Sequence, residues 1–119
     1  RFQWRTATAN EMPALYRSAD LLVSASRSEA FGVVYVEALA CGLPVVTQDD
    51  AVRREVLGEE ARYVDSEDPA VWAGQMEVAL STADPAAARR QAAKFDAARS
   101  AARLQEIFEE ILRRVSPVP

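Results

Sequence analysis

The sequence has no histidine and only one cysteine among its 119 residues. Without histidine, Ser-His-Asp catalysis, Cys-His catalysis and histidine-bound metals are excluded. The single Cys41 excludes an internal disulfide framework and a cysteine-based zinc site. The chemistry open to the chain is therefore that of carboxylates, backbone amides, arginine and the groups of a bound substrate. We expect neither a metal nor a cofactor.

Long apolar runs and basic clusters are absent as well. No stretch approaches the roughly 20 apolar residues of a membrane-spanning helix, and no basic region leads into an apolar one as in a signal peptide. Lys and Arg total 14 against 18 Asp and Glu, a net charge of −4, and the basic residues are scattered. Because phosphate neutralisation requires a basic patch, we expect no nucleic-acid partner.

Short apolar runs alternate with helical stretches over the first two-thirds of the chain. This alternation is typical of an α/β fold with a buried parallel sheet. Half of the residues are hydrophobic and 27% are charged, which predicts one globular domain. The pattern predicts strands at residues 2–4, 21–23, 44–47 and 63–64, and helices at residues 33–41, 52–57, 69–80 and 85–115.

A polar loop between the second predicted strand and the next helix is the most informative segment. Ligands of parallel α/β sheets bind at the carboxyl ends of the strands, where this loop lies. The helix that begins after Gly32 offers unpaired N–H groups and a partial positive charge, which suit an anion. Gly32 has no Cβ, so a ligand can approach its backbone closely. The sequence therefore predicts phosphate binding by the backbone of Phe31, Gly32, Val33 and Val34.

Glu37 is the only charged residue between Ala30 and Leu43. A helix that is apolar almost all round is normally buried, and a buried carboxylate needs a partner. Glu37 is therefore expected to face a cleft or a hydrogen-bond donor, and the two hydroxyls of a ribose would satisfy it. Glu29, in the preceding loop, could accept hydrogen bonds from a sugar in the same way.

These residues form a pattern that resembles a known family. Glu29 and Glu37 are separated by seven residues, Phe-Gly stands shortly after the first, and Gly-Leu-Pro-Val-Val follows the second at residues 42–46. The pattern is similar to the two-glutamate signature of the retaining glycosyltransferases of the GT-B fold, family 4, also called glycosyl transferase group 1. The likeness extends over essentially the whole chain.

The resemblance implies a Rossmann-like, three-layer α/β fold with a parallel sheet and extra C-terminal helices. Residues 1–119 would be the later part of the C-terminal, nucleotide-sugar-binding domain of a GT-B enzyme. The acceptor domain and the first strands of this domain are then expected to precede it in a longer protein. We expect that protein to be cytoplasmic, and its missing part could bring it to a membrane surface.

The resemblance also implies roles for particular residues toward a nucleotide-diphosphate sugar donor and an acceptor that is unknown. Glu29 would be the catalytic residue that binds hydroxyls of the donor sugar, and Glu37 would bind the ribose. The base would lie near Arg5 and Thr6. The backbone amides that would contact the sugar and the diphosphate are those of Phe31, Gly32, Val33 and Val34.

The sequence departs from the family pattern at two places. The Arg/Lys pair that binds the diphosphate in the family belongs to the absent first strand and helix, and Arg27 does not take its position. Residues 48–51, Gln-Asp-Asp-Ala, replace the Gly-Gly pair of many relatives. We therefore expect the 119 residues alone to be inactive, and we assign no ligand contact to residues 48–51.

Two other functions remain open from the residues alone. The chain could be a non-catalytic nucleotide-binding or helix-docking module, which also associates with itself through an exposed last helix. A further hypothesis is that the chain belongs to an epimerase of the GT-B fold, although that class of enzyme lacks the two-glutamate spacing. Recognition of a nucleoside diphosphate separates the enzyme from the docking module. The apolar stripe of the last helix is formed by Leu104, Ile107, Phe108, Ile111, Leu112 and Val115.

Overall fold

The computed structural model describes residues 2–115, which form a parallel three-stranded sheet with helices on both faces. The strands are β1 (Leu22–Ser24), β2 (Val45–Gln48) and β3 (Ala61–Val64). The helices are α1 (Met12–Arg17), α2 (Val33–Ala40), α3 (Ala51–Leu57), α4 (Pro69–Ser81), α5 (Pro85–Ala92) and α6 (Ala97–Val115). Single 3-10 turns stand at Gly58–Glu60 and Ala93–Phe95.

The strands lie in the order β1-β2-β3, with Leu22 opposite Val45 and Val45 opposite Ala61. Successive residues of a strand point to opposite faces, so Val45 packs in the cluster beneath α1, α2 and α5. Val46 packs in the second cluster, beneath α4. The central strand is thus buried on both sides, and the predicted α/β, Rossmann-like three-layer fold with extra C-terminal helices is confirmed.

Aspartate at the helix starts explains several of the boundaries. Asp68 accepts a hydrogen bond from Ala70 N–H at 2.8 Å, and Asp84 accepts one from Ala86 N–H at 2.9 Å. A proline follows each aspartate at the first helical position, where no hydrogen bond is lost. Both starts agree with those of the helices predicted at residues 69–80 and 85–115. The backbone N–H groups of Ala87 and Ala86 hold the pKa of Asp84 below its usual value.

Three sequence predictions differ from the structure. Residues 2–4 are not a strand: Phe2 and Trp4 are 87% and 85% exposed, and no strand within residues 2–115 pairs with them. β1 is not buried on both faces, because it is an edge strand here and Val23 is exposed. The helix predicted at 85–115 is interrupted before Asp96, whose carboxylate accepts a hydrogen bond from Arg99 N–H at 2.9 Å and starts α6 afresh.

Candidate functional site

Gly32 shapes the turn by which the loop after β1 enters α2. Its φ is +82°, a region that residues with a Cβ rarely adopt. An added Cβ would overlap the ring of Tyr35, which is fully buried. The turn and the packing of Tyr35 therefore require glycine here, independently of the close ligand approach that the sequence suggested.

The N-terminus of α2 is open to solvent at the carboxyl end of β1. Val33 and Val34 are 60% and 36% exposed, and α2 has no side-chain cap and no acidic residue in its first turn. Tyr35 N–H bonds to Gly32 C=O at 3.0 Å. Within residues 2–115, the amides of residues 31–34 donate to no acceptor outside the helix. Unpaired N–H groups at a helix N-terminus form a site for an anion.

Glu37 lies one turn further along α2, on the same exposed face as Val33. The expectation of a helix buried all round is wrong, because α2 buries Tyr35, Ala38 and Leu39 and exposes its opposite face. Glu37 is four positions after Val33 in the helix, about 6 Å along the axis. The expected donor is present, since Tyr16 donates its hydroxyl to Glu37 Oε2 at 2.9 Å.

Glu29 and Phe31 occupy the loop just before this helix. Glu29 is half-buried, and no hydrogen bond to its carboxylate is present within the described part of the chain. Phe31 is partly exposed, and its ring meets that of Phe95 edge to face, with 5.6 Å between the centroids. The six predicted residues therefore surround the start of one helix, with a carboxylate before it and another one turn inside it.

Arg53 is the residue of this region that the sequence analysis missed. Its side chain is completely buried under the loop, where Nε donates to the Tyr35 hydroxyl at 3.2 Å. One Nη donates to the Ser26 carbonyl at 2.7 Å, and the other forms an ion pair with Asp50. Asp50 was recognisable as a cap three residues before Arg53. No feature of the sequence marks this arginine as buried.

Tyr35 extends the network of Arg53 to both neighbouring strands. The Tyr35 hydroxyl donates to Ser24 Oγ at 3.0 Å and accepts from Thr47 Oγ1 at 3.3 Å. Burial alone would lower the pKa of Arg53, but the hydrogen bond to Tyr35 and the charge of Asp50 outweigh it and raise that pKa. The guanidinium therefore stays charged while holding the loop that carries Glu29.

Two open cavities bear on the predicted contacts, although residues 29–37 line neither of them. One of about 810 Å³ runs along the carboxyl ends of the strands and is lined in part by Gln48, Asp49, Asp65 and Trp72. Asp49 pairs with Arg54 through two bonds of 2.6 Å, and Arg54 holds the pKa of Asp49 below its usual value. Gln48 and Asp49, at the place of the family's Gly-Gly pair, thus form part of the wall of this cleft.

The second cavity, of about 430 Å³, is lined in part by Arg5, Thr6 and Glu11. The residues expected near the base therefore line a pocket beside α1 that does not include the residues around Gly32. Among residues 2–115, no group of three or more acidic or cysteine side chains is placed to hold a metal ion. No helix in this range has the length and apolarity to cross a membrane.

Comparison with known proteins gives consistent matches. The family model described as glycosyl transferases group 1 matches residues 1–96. A D-inositol 3-phosphate glycosyltransferase of Salinispora arenicola is 38% identical over 92% of this chain and 26% of that protein. The protein of the same name from Thermobispora bispora is 40% identical over 88% of the chain and 26% of its own length.

A third relative of that name, from Mycolicibacterium vanbaalenii, is 46% identical over 66% of the chain and 18% of its own length. The chain thus spans about a quarter of these curated relatives, or less. Because the family model covers most of the sequence, and relatives match nearly all of it at more than 30% identity, the chain belongs to the group 1 glycosyl transferases.

Proposed function

We propose that this chain is the later part of the C-terminal, donor-binding domain of a retaining glycosyltransferase of the GT-B fold, family 4. The acceptor domain and the first strands of the donor domain would precede residues 1–119 in a longer protein. The share of the relatives that the chain spans, about 26%, supports this division. Such an enzyme would work in the cytoplasm, and its other domain could bind a membrane surface peripherally.

The exposed N-terminus of α2 is the observation on which the proposal depends. The unpaired amides of Phe31, Gly32, Val33 and Val34 would bind the diphosphate of a nucleotide sugar. Glu37, about 6 Å along the helix, would accept hydrogen bonds from the ribose. Glu29, the proposed catalytic residue, lies before the helix and would bind the hydroxyls of the donor sugar.

This arrangement suits the transfer of a sugar from a nucleoside diphosphate. As the bond between the anomeric carbon and the diphosphate oxygen breaks, positive charge develops on the sugar and negative charge on the diphosphate. Amides that already point at the diphosphate would stabilise that charge without reorganisation. Glu29 would orient the sugar while the acceptor oxygen forms the new bond and passes its proton to the departing diphosphate oxygen.

The acceptor binds outside these residues in the proposed division of the enzyme. The relatives are named for D-inositol 3-phosphate, so an inositol phosphate is the first acceptor class to test. The cleft beside Asp49, Asp65 and Glu67 has three acidic residues against one lining cation, Arg27, which pairs with Glu67. We therefore expect the phosphate of such an acceptor to be bound by the other domain.

Calorimetry on the intact polypeptide that contains this chain tests the donor site. The probes are UDP, GDP and ADP, and one base is expected to bind more tightly than the others. Because a hydrogen bond to a charged group is worth about 1.5–3 kcal/mol, Glu37→Ala should weaken that nucleotide about tenfold or more. Glu77→Ala, at an exposed glutamate of α4, is the control and should change nothing. Equal, Glu37-independent binding of all three nucleotides would contradict the proposal.

A docking module is the second candidate, and the exposed face of α6 favours it. No residue of α6 is buried, and its whole apolar stripe faces solvent within residues 2–115. Exposed apolar patches of this kind mark contact surfaces. The face would be covered by the preceding domain of the enzyme or by a second copy of the chain. A pure docking module would show no selectivity among nucleoside diphosphates.

A further inference from the structure

Tyr16 connects α1 to the carboxylate of Glu37. Its side chain is only 5% exposed, and its hydroxyl donates a hydrogen bond of 2.9 Å to Glu37 Oε2. Within residues 2–115, no other hydrogen bond reaches this carboxylate. One carboxylate oxygen of the exposed Glu37 is thus held by the protein, while the other has no hydrogen-bond partner among these residues.

The surroundings of Tyr16 make it a fixed donor. The ring belongs to the main core cluster, together with Tyr35 and Leu39. Burial, followed by the hydrogen bond to Glu37, raises the pKa of Tyr16 well above its ordinary value. The phenol therefore keeps its proton, and a buried hydroxyl without an acceptor would be costly. The interaction holds both partners in one arrangement.

An exposed glutamate on a helix otherwise samples several rotamers, and a ligand that fixes it must overcome that entropy. A carboxylate oxygen has two lone pairs, so Oε2 can accept one bond from Tyr16 and a second from a ligand. Oε1 stays free for another donor. The held carboxylate therefore presents acceptors for two neighbouring hydroxyls. Its side chain loses little conformational entropy when they bind.

We propose that Tyr16 is a positioning residue that orients the Glu37 carboxylate toward the hydroxyls of the donor ribose. The inference rests on the proposed function, which assigns Glu37 to the ribose. It adds a residue of α1, which lies outside the two-glutamate segment. It also explains why a polar group of α1 is directed at the exposed helix.

The test compares each ribonucleotide with its 2′-deoxy counterpart, because that ratio reports on the contact of the 2′-hydroxyl alone. Calorimetry on the intact polypeptide uses UDP, GDP and ADP and their deoxy forms. The wild type should bind the preferred ribonucleotide about tenfold more tightly than its deoxy form. Glu37→Gln should bring this ratio close to one, and Tyr16→Phe should lower it to about threefold.

Tyr63→Phe is the matched control. It removes a phenol hydroxyl that donates to the Gly58 carbonyl at 2.6 Å rather than to a residue of α2. This variant should lose stability but keep the tenfold ratio. Because Tyr16 acts through Glu37, the Tyr16→Phe/Glu37→Gln double variant should show the same ratio as Glu37→Gln alone.

The outcomes separate the positioning role from the proposed function. If Tyr16→Phe keeps the full ratio and loses only stability, as Tyr63→Phe does, the positioning role is wrong and the ribose assignment stands. If the wild type binds the ribonucleotide and its 2′-deoxy form equally and Glu37→Gln has no effect, the ribose assignment fails. The role of Tyr16 then fails with it. If Tyr16→Phe weakens the 2′-deoxynucleotide as much as the ribonucleotide, positioning is also overturned, because Tyr16 would then act by a route other than the ribose contact.

Discussion

Two constraints meet at Gly32, the single residue on which the open end of α2 depends. Its φ of +82° lies in the left-handed region, which costs a residue with a Cβ about 1–2 kcal/mol. The Tyr35 ring occupies the space that a Cβ would need. The amides of the proposed diphosphate site are therefore presented by a turn that only glycine fits.

Replacing Gly32 tests this requirement. Gly32→Ala should lower the free energy of unfolding by about 2 kcal/mol or more, because the left-handed backbone and the contact with Tyr35 both oppose a methyl group. Urea unfolding followed by circular dichroism measures the change. Gly74→Ala is the control: a Cβ at this α4 position meets nothing within 4 Å, so it should stabilise by about 0.5–1 kcal/mol. Equal effects of the two substitutions would contradict the account.

At the scale of the elements, Arg53 joins parts of the fold that are distant in sequence. Its guanidinium bonds to the Ser26 carbonyl in the loop, to Tyr35 of α2 and to Asp50 at the start of α3. Thr47 of β2 joins through the Tyr35 hydroxyl. The loop that carries the proposed sugar-binding glutamate is thus attached to two helices and a strand by one buried cation.

The charge of Asp50 should therefore contribute more to the stability of the fold than its hydrogen bond as the N-cap of α3. Asp50→Asn keeps an oxygen that can cap α3 but leaves the buried Arg53 without a counter-charge. We expect a loss of about 3 kcal/mol, near the lower end for a broken buried pair, because Asp50 is partly exposed. Chemical denaturation of the wild type and the variant measures this difference in the free energy of unfolding.

Asp68→Asn makes the same change at the N-cap of α4, where the aspartate accepts a hydrogen bond from Ala70 N–H at 2.8 Å and is itself exposed. That variant should stay within about 0.5 kcal/mol of the wild type. Matching losses in the two variants would show that capping, and not the buried cation, explains the effect at Asp50.

The whole molecule is elongated because α6 extends away from the sheet. The radius of gyration is 18.0 Å, whereas a compact chain of this length would have roughly 13–14 Å. The 19 residues of α6 form a rod of about 28 Å. Within residues 2–115, no other element covers the exposed apolar stripe of α6.

Sedimentation of the 119-residue chain tests whether this stripe associates. We expect the weight-average mass to rise with concentration, and Ile107→Gln/Ile111→Gln to abolish the rise. Both residues are exposed, so each substitution should change stability by no more than about 0.5 kcal/mol. Val71→Gln/Val78→Gln removes two exposed valines of α4 and should leave the association intact. A chain that stays monomeric at every concentration would contradict self-association through α6.

Local chemistry made much of this fold and site predictable. The Asp-Pro pairs mark the starts of α4 and α5, and the apolar runs mark all three strands. Gly42, with φ of +79°, follows the end of α2, in agreement with the helix predicted at residues 33–41. The loop, the start of α2 and the position of Glu37 follow in the same way, because capping, turn preference and periodicity act over only a few residues.

The sequence by itself therefore determined the starts of α2, α4 and α5, the three strands and the segment that contains the proposed donor-binding residues. Only the tertiary structure decided that residues 2–4 form no strand, that Arg53 is buried and that Tyr16 contacts Glu37, 21 residues away. A strand needs a neighbour to accept its hydrogen bonds, and a buried charge needs partners from other elements. Those partners are brought together by packing, so no local pattern can reveal them.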